Sequence, residues 1–254
     1  MRLLSKYLAS SGVAMVLALT ASAVPAGIIS GPTVQFITSN SDTSLVLNTG
    51  SYVSGKNVGG ANTSDTINGV LFKASATGNV FEGPSNTPGN IRYIAGAGNA
   101  SGIYPNTGSP YASSFSGLLS STDSIGGGGV REAIVGLNPS LTYRVQLLAG
   151  DSRNFSTLMS YRINSGSGGS PGAYTSNNDS LATFSAGTIG DAGANTGFIA
   201  TFTFNGFSAI DIQNSSAQAF ISGISVYQVP EASSFVMLLC GSLGLWRMRR
   251  TRTG

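Results

Sequence analysis

Histidine is absent from this sequence, cysteine occurs once, at Cys240, and tryptophan once, at Trp246. Without histidine there is no Ser-His-Asp or Cys-His catalysis, and no zinc site of the usual His and Cys ligands. One cysteine closes no internal disulfide. Charged residues make up only 9% of the chain, while Gly, Ser, Thr and Asn are abundant. That balance argues against long soluble helices and for strands joined by polar turns.

Basic charge is scarce where it would matter. The sequence pI is about 9.1, yet two of the thirteen basic residues lie in 1–23 and four in 229–254. That leaves seven against nine acidic residues in 24–228, a slightly acidic body. Its Lys and Arg are scattered, with no stripe able to neutralise a run of phosphates, so nucleic acid is excluded as a partner. The four glycines Gly126 to Gly129 look like a phosphate cradle. However, Val130-Arg131-Glu132 follows where a Walker motif needs Lys and Ser/Thr, and the stretch reads as a flexible connection.

What is present begins with an export signal. Arg2 and Lys6 precede a mainly apolar run from Leu8 to Thr20, and Ala21-Ser22-Ala23 supplies small residues for cleavage, so 1–23 reads as a signal peptide. After it, short β-type runs alternate with turn residues. They include Thr33 to Thr38, Ser44 to Asn48, Ile67 to Lys73 with a bulge or tight bend at Asn68-Gly69, and Ile91 to Ala95. Gly96 to Pro110 reads as a long surface loop. Phe115 to Ser120 fits a helical turn or a strand equally.

In Gly136-Leu137-Asn138-Pro139-Ser140-Leu141-Thr142-Tyr143 a tight turn feeds a strand that opens on tyrosine. The pattern predicts a tyrosine corner, with the ring in the core and the phenol bonded back to the turn. Tyr143 is therefore structural, Val145 and Leu147 share its inward face, and Arg144 and Gln146 point outward. Leu158 to Asn164, Leu181 to Ser185 and Phe198 to Phe204 follow. Asn205-Gly206 predicts a type I′ hairpin returning through Phe207 to Ile212, and Phe220 to Tyr227 closes the fold. About ten strands without an amphipathic helix predict an all-β domain over 24–228, a single antiparallel β-sandwich of jelly-roll type.

The last segment, 229–254, has a different character. Val229-Pro230-Glu231 is followed by Ser233-Ser234, an apolar run from Phe235 to Trp246, and the basic stop Arg247, Arg249, Arg250 and Arg252. Those arginines, with Arg2 and Lys6, are expected to stay cytoplasmic, leaving the intervening domain outside the inner membrane. Phe235 to Trp246 is short for a stable span and suits a transient membrane helix.

Together these features resemble the PEP-CTERM sorting signal of Gram-negative bacteria, with Ala232 standing where a second proline is usual. The resemblance implies processing at Val229-Pro230-Glu231 by an exosortase, and a place at the cell surface or in an exopolysaccharide matrix. Thr66-Ile67-Asn68-Gly69-Val70-Leu71-Phe72, Gly136-Leu137-Asn138-Pro139, Tyr143 to Leu147 and Asp151-Ser152-Arg153 are similar to a group of exported planctomycete and verrucomicrobial PEP-CTERM proteins. That similarity implies a galactose-binding-like or related sandwich.

Three functions compete. The first is a non-catalytic surface or matrix protein associated with exopolysaccharide; the N-x-S/T triplets at Asn62, Asn99, Asn154, Asn178 and Asn214 arise too easily in such a composition to add to it. The second is carbohydrate binding through loop tyrosines Tyr104, Tyr111 and Tyr174, with Asp151 and Arg153 as polar contributors. Asp151 and Arg153 read first as a structural turn with a local ion pair. The third is a carboxylate-dependent glycosidase, for which Glu82, Glu132 and Asp151 are candidates but read as solvated loop carboxylates. No cofactor is expected. A structural calcium ion would use the isolated Asp42, Asp179 or Asp191, and no D-x-D-x-D-G run supports one.

Overall fold

β-branched and aromatic residues at alternate positions, broken by Gly, Asn and Ser, produce short strands whose inner faces must find a partner layer. The computed structural model describes residues 26–58, 64–74, 89–94, 103–105, 113–119, 121–126, 131–150, 157–165, 180–189, 197–214 and 218–230. Among these the strands are β1 (Gly27–Ile37), β2 (Ser51–Asn57), β3 (Asp65–Ile67), β4 (Val70–Ala74) and β5 (Asn90–Ile94). There follow β6 (Ile103–Pro105), β7 (Ser121–Gly126), β8 (Arg131–Val135), β9 (Thr142–Gly150) and β10 (Thr157–Ser165). The series ends with β11 (Ser180–Ile189), β12 (Gly197–Asn205), β13 (Ile210–Asn214), β14 (Gln218–Ile221) and β15 (Gly223–Val229). Among the described residues helix is confined to short pieces: a 3-10 helix Asn40–Leu45, a 3-10 turn Ser113–Phe115 and the single turn α1 (Ser116–Leu119). The domain is all-β.

A seven-stranded sheet runs β1-β12-β9-β15-β2-β4-β3, a five-stranded sheet β11-β10-β13-β8-β5, and a three-stranded sheet β14-β7-β6. Described pairings are antiparallel except β2 with β4, which are parallel. One buried cluster joins the two larger sheets. Tyr143, Val145, Leu147, Phe198, Phe202, Phe204, Ile224 and Val226 come from the seven-stranded sheet, and Ile134, Tyr161, Ile163, Ile210 and Ile212 from the five-stranded one. The other face of the larger sheet is also covered, where Ile199, Leu148 and Tyr227 pack with Val46, Phe72, Phe115, Leu118 and Leu119.

That second layer corrects the expectation for the outward residues of β9. Gln146 is buried, not solvated. Its Nε2 donates to Leu45 O at 2.8 Å and to Thr201 Oγ1 at 3.0 Å, and its Oε1 accepts the Leu47 N–H at 2.7 Å. The chain from Ser44 to Asn48, expected as a strand, instead finishes the 3-10 helix and crosses this face. Asp42 starts that helix by accepting the N–H groups of Thr38 and Ser39 at 2.6 and 2.8 Å.

Only the first of the two Asn-Gly dipeptides turns as the sequence pattern has it. Asn68-Gly69 forms the two-residue hairpin, with Ile67 paired to Val70 and φ of 49° and 76° at the two turn positions, as a type I′ turn demands. Asn205-Gly206 does not make a hairpin. Asn205 stays in β12, only Gly206 takes a positive φ, and β13 pairs with β8 and β10 in the other sheet. The Gly206 N–H donates to Pro139 O at 3.1 Å, so the corner docks on the β8–β9 turn while the chain changes sheets.

Three further expectations change. Phe220 to Tyr227 is two strands in two sheets, split at Ser222, whose N–H and C=O bond to Leu148 O and Val58 N–H. Ile103–Pro105 is a strand paired with β7 rather than loop. Phe115 ends the 3-10 turn Ser113–Phe115 and α1 follows at once, so the undecided segment is helical through Leu119.

Candidate processing site and the sheet end that carries it

β15 is an interior strand. Val229 pairs with Thr142 of β9, and Gln228 pairs with Tyr143 of β9 and with Ser51 of β2. The first residue of the Val229-Pro230-Glu231 motif is thus half-buried in the sheet, and Pro230 is the first exposed residue beyond it. Proline has no N–H to continue the ladder, so the strand stops there. Gly50 lies against the Gln228 carbonyl so closely that any Cβ would overlap it.

One row across the sheet reads Ile28, Phe204, Tyr143, Gln228, Ser51. The Tyr143 ring is buried, 5.9 Å from Phe204, and its hydroxyl accepts the Asn138 N–H at 3.0 Å. Asn138 in turn accepts the Ser140 N–H through its side chain at 2.9 Å and the Leu141 N–H through its carbonyl at 3.0 Å. The β8–β9 turn is thereby fixed against the start of β9.

On the opposite face the next row places Arg144, Tyr227 and Tyr52 side by side. The Arg144 guanidinium lies 5.5 Å from the Tyr227 ring centroid and donates to Thr49 Oγ1 at 3.0 Å and Thr49 O at 2.5 Å. Tyr52 meets Tyr227 edge-on at 5.5 Å and donates its hydroxyl to Leu71 O at 2.7 Å. Burial lowers the Arg144 pKa, partly opposed by Tyr227, and raises those of Tyr52 and Tyr227. The row is a clamp that holds the 46–50 segment over β9 and β15, not an acid–base device.

No family model and no curated protein matches the chain. Among solved structures, Bacteroides uniformis beta-glucuronidase aligns at 13% identity with a TM-score of 0.42, covering 70% of this chain and 18% of that one. The enzymatically active domain of bacteriophage CBA120 tailspike protein 4 aligns at 9% identity with a TM-score of 0.17, covering 62% and 23%. The chain therefore spans less than a quarter of either protein. Likeness this slight carries no argument about function.

Placement of the remaining sequence candidates is uneven. Glu231, Arg247, Arg249, Arg250, Arg252, Tyr111, Tyr174, Asp151, Arg153, Glu82, Asp179 and Asp191 lie outside the described residues, as does the apolar run Phe235 to Trp246. Tyr104 sits in β6. Glu132 is in strand β8 and buried, which corrects its reading as a solvated loop carboxylate. It lies opposite Ile212 and so faces the inter-sheet core, whereas Asp211, the other buried carboxylate among the described residues, lies opposite Ala133. Successive residues of a strand face opposite sides, so these two do not share a cleft.

Sequence reading missed that Lys56 is also buried. It lies opposite Ile224 on the inter-sheet face, and its Nζ donates to Ile91 O at 3.2 Å. Among the described residues no group of three or more His, Cys, Asp or Glu is placed to hold a metal ion, and no helix is long and apolar enough to cross a membrane.

Proposed function

We propose that this chain is an exported, exosortase-sorted protein of the cell surface or extracellular matrix, non-catalytic and associated with exopolysaccharide. Its body is proposed to be a galactose-binding-like β-sandwich of jelly-roll type, whose two larger sheets share one core. The observation that carries the reading is the tail itself: Val229-Pro230-Glu231, a dozen-residue apolar run and four arginines, paired with a basic and apolar start. Basic groups at both extremes hold both ends of the chain in the cytoplasm and the body outside.

The fold supports this arrangement. Gly27 pairs with Asn205, and Val229 with Thr142, so both ends of the domain leave the same end of the seven-stranded sheet. Three strand spacings separate β1 from β15, roughly 14 Å. Before the signal peptide is removed, a body held at both ends to one membrane is suited by such an arrangement. The non-catalytic part rests on the missing histidine and on the opposed faces of Glu132 and Asp211.

Cell fractionation with an antibody to the body tests the sorting. The native chain should appear as a membrane-bound form and a shorter surface or matrix form, and Pro230→Ala with Glu231→Ala should accumulate the membrane form alone. Equal amounts of the shorter form from the native and altered chains would remove the motif from the proposal. Arrayed exopolysaccharides probed with the purified chain test the association, and uniform background binding would reject it.

A further inference from the structure

We infer that the sheet end from which both chain termini leave lies against the bilayer surface while the tail is inserted, with Ile29, Leu47 and Tyr52 seated at headgroup level. This deepens the proposed function and rests on its reading of the tail. Only Glu231 to Ser234 separate Pro230 from the apolar run, and four residues span at most about 14 Å. A nine-residue strand such as β12 is roughly 30 Å long. The tether is therefore shorter than the domain, and the end bearing Pro230 is the one held at the membrane.

The surface of that end suits such a contact. Among the described residues the exposed large apolar side chains are Ile29 (51%), Phe36 (38%), Leu47 (36%), Tyr52 (39%) and Leu71 (37%). Ile29, Leu47 and Tyr52 lie within three residues of the row Ile28–Ser51 or of the Gly50 turn beside Gln228. Phe36 lies at the far end of β1, opposite Phe198. Across 26–30, 47–52, 138–144, 203–208 and 227–230 the sole charged residue is Arg144, so none of these described segments brings a carboxylate to an anionic headgroup. Tyrosine with aliphatic neighbours is the composition that settles at a membrane interface.

The test uses the full chain with Cys240→Ser, carrying Ile29→Cys, Leu47→Cys or Phe36→Cys labelled with bimane. Each is reconstituted in phosphatidylethanolamine–phosphatidylglycerol vesicles with a nitroxide on the upper acyl chain. Trp246, the only tryptophan, reports tail insertion in the same samples. The expected result is quenching of Trp246 and of the labels at positions 29 and 47, with the label at 36 unquenched. Quenched Trp246 with unquenched labels at 29 and 47, or quenching at 36 equal to theirs, overturns the inference and leaves the tail reading standing. Unquenched Trp246 removes the tail reading and the inference together. All three labelled positions are exposed, so the substitutions leave the core untouched.

Discussion

Gln146→Leu is the sharpest test of the second layer. Leucine matches the volume of glutamine and suits a strand, so a solvated position 146 would change stability by no more than about 0.5 kcal/mol. In this fold the side chain is buried and makes three hydrogen bonds, to Leu45 O, Thr201 Oγ1 and the Leu47 N–H. Thr201 is half-buried and can turn its hydroxyl to water. Losing the net value of two bonds at about 1 kcal/mol each, and leaving one part-buried backbone group unmet at about 1–3 kcal/mol, amounts to roughly 3–5 kcal/mol. For a domain of this size each kcal/mol lowers Tm by about 2–4 °C, so the fall should be roughly 6–20 °C. Urea titration and thermal unfolding of the full chain in detergent read the change. Hydrogen exchange at the Leu47 amide should accelerate in parallel. Stability within about 0.5 kcal/mol of the native chain would refute the placement of the 45–47 segment over β9.

Four further substitutions probe the rest of the fold. Tyr143→Phe keeps the ring and deletes the acceptor of the Asn138 N–H, and should lower unfolding free energy by about 1 kcal/mol in the same titration. Gly69→Ala meets no atom nearer than 3.7 Å and should show only the left-handed backbone strain, about 1–2 kcal/mol. Gly206→Ala has equal strain and in addition drives a methyl into Ala26, so it should be the more damaging of the two; the reverse order would contradict the sheet-changing corner. Asp42 has its pKa lowered from 3.8, first by the Thr38 and Ser39 backbone N–H groups. A folded pKa below the unfolded one stabilises above the unfolded value and loses that contribution as pH falls through the folded value. Asp42→Asn should therefore be less stable than the native chain near neutrality, with the gap closing well below pH 3.8.

The two Asn-Gly dipeptides explain what was and was not legible in the sequence. Each carries the same local preference for positive φ, and that preference alone gave a correct tight bend at Asn68-Gly69 and a wrong hairpin at Asn205-Gly206. Around Asn68-Gly69 the flanking residues pair with each other. After Asn205 the chain has Phe207, half-buried against the core, and β13, whose Ile210 and Ile212 complete the facing sheet. Burial across two layers decided the outcome, and no dipeptide encodes it. Tyr143 was legible because its partner is five residues away, in the turn itself. Gln146 was not, because the segment that covers it lies about a hundred residues earlier. Glu132 and Lys56 escaped for a similar reason: their burial follows from which strands they oppose, Ile212 and Ile224, and not from their own neighbours. The split of Phe220 to Tyr227 turns on Ser222 bonding to both Val58 and Leu148, again a long-range event.

Where the chain ends beyond Val229 decides what survives release from a membrane tether. β15 sits between β9 and β2, and Tyr227 is buried beneath Arg144 and against Tyr52. Ending the chain after Pro230 removes no residue of the described ladders. Ending it after Val226 strips Tyr227 and Gln228 from both ladders and Val229 from the ladder with β9, and empties an aromatic site worth about 3–5 kcal/mol. Against a typical total of about 5–15 kcal/mol, that loss leaves a marginal fold. Chains ended at Pro230 and at Val226 should therefore differ sharply in urea midpoint and in resistance to trypsin, with the longer form matching the full chain. Equal midpoints would mean that the end of β15 contributes nothing. The expected difference implies a constraint on processing: a cut upstream of Pro230 would release a damaged domain, whereas a cut at or after it releases the sheet whole.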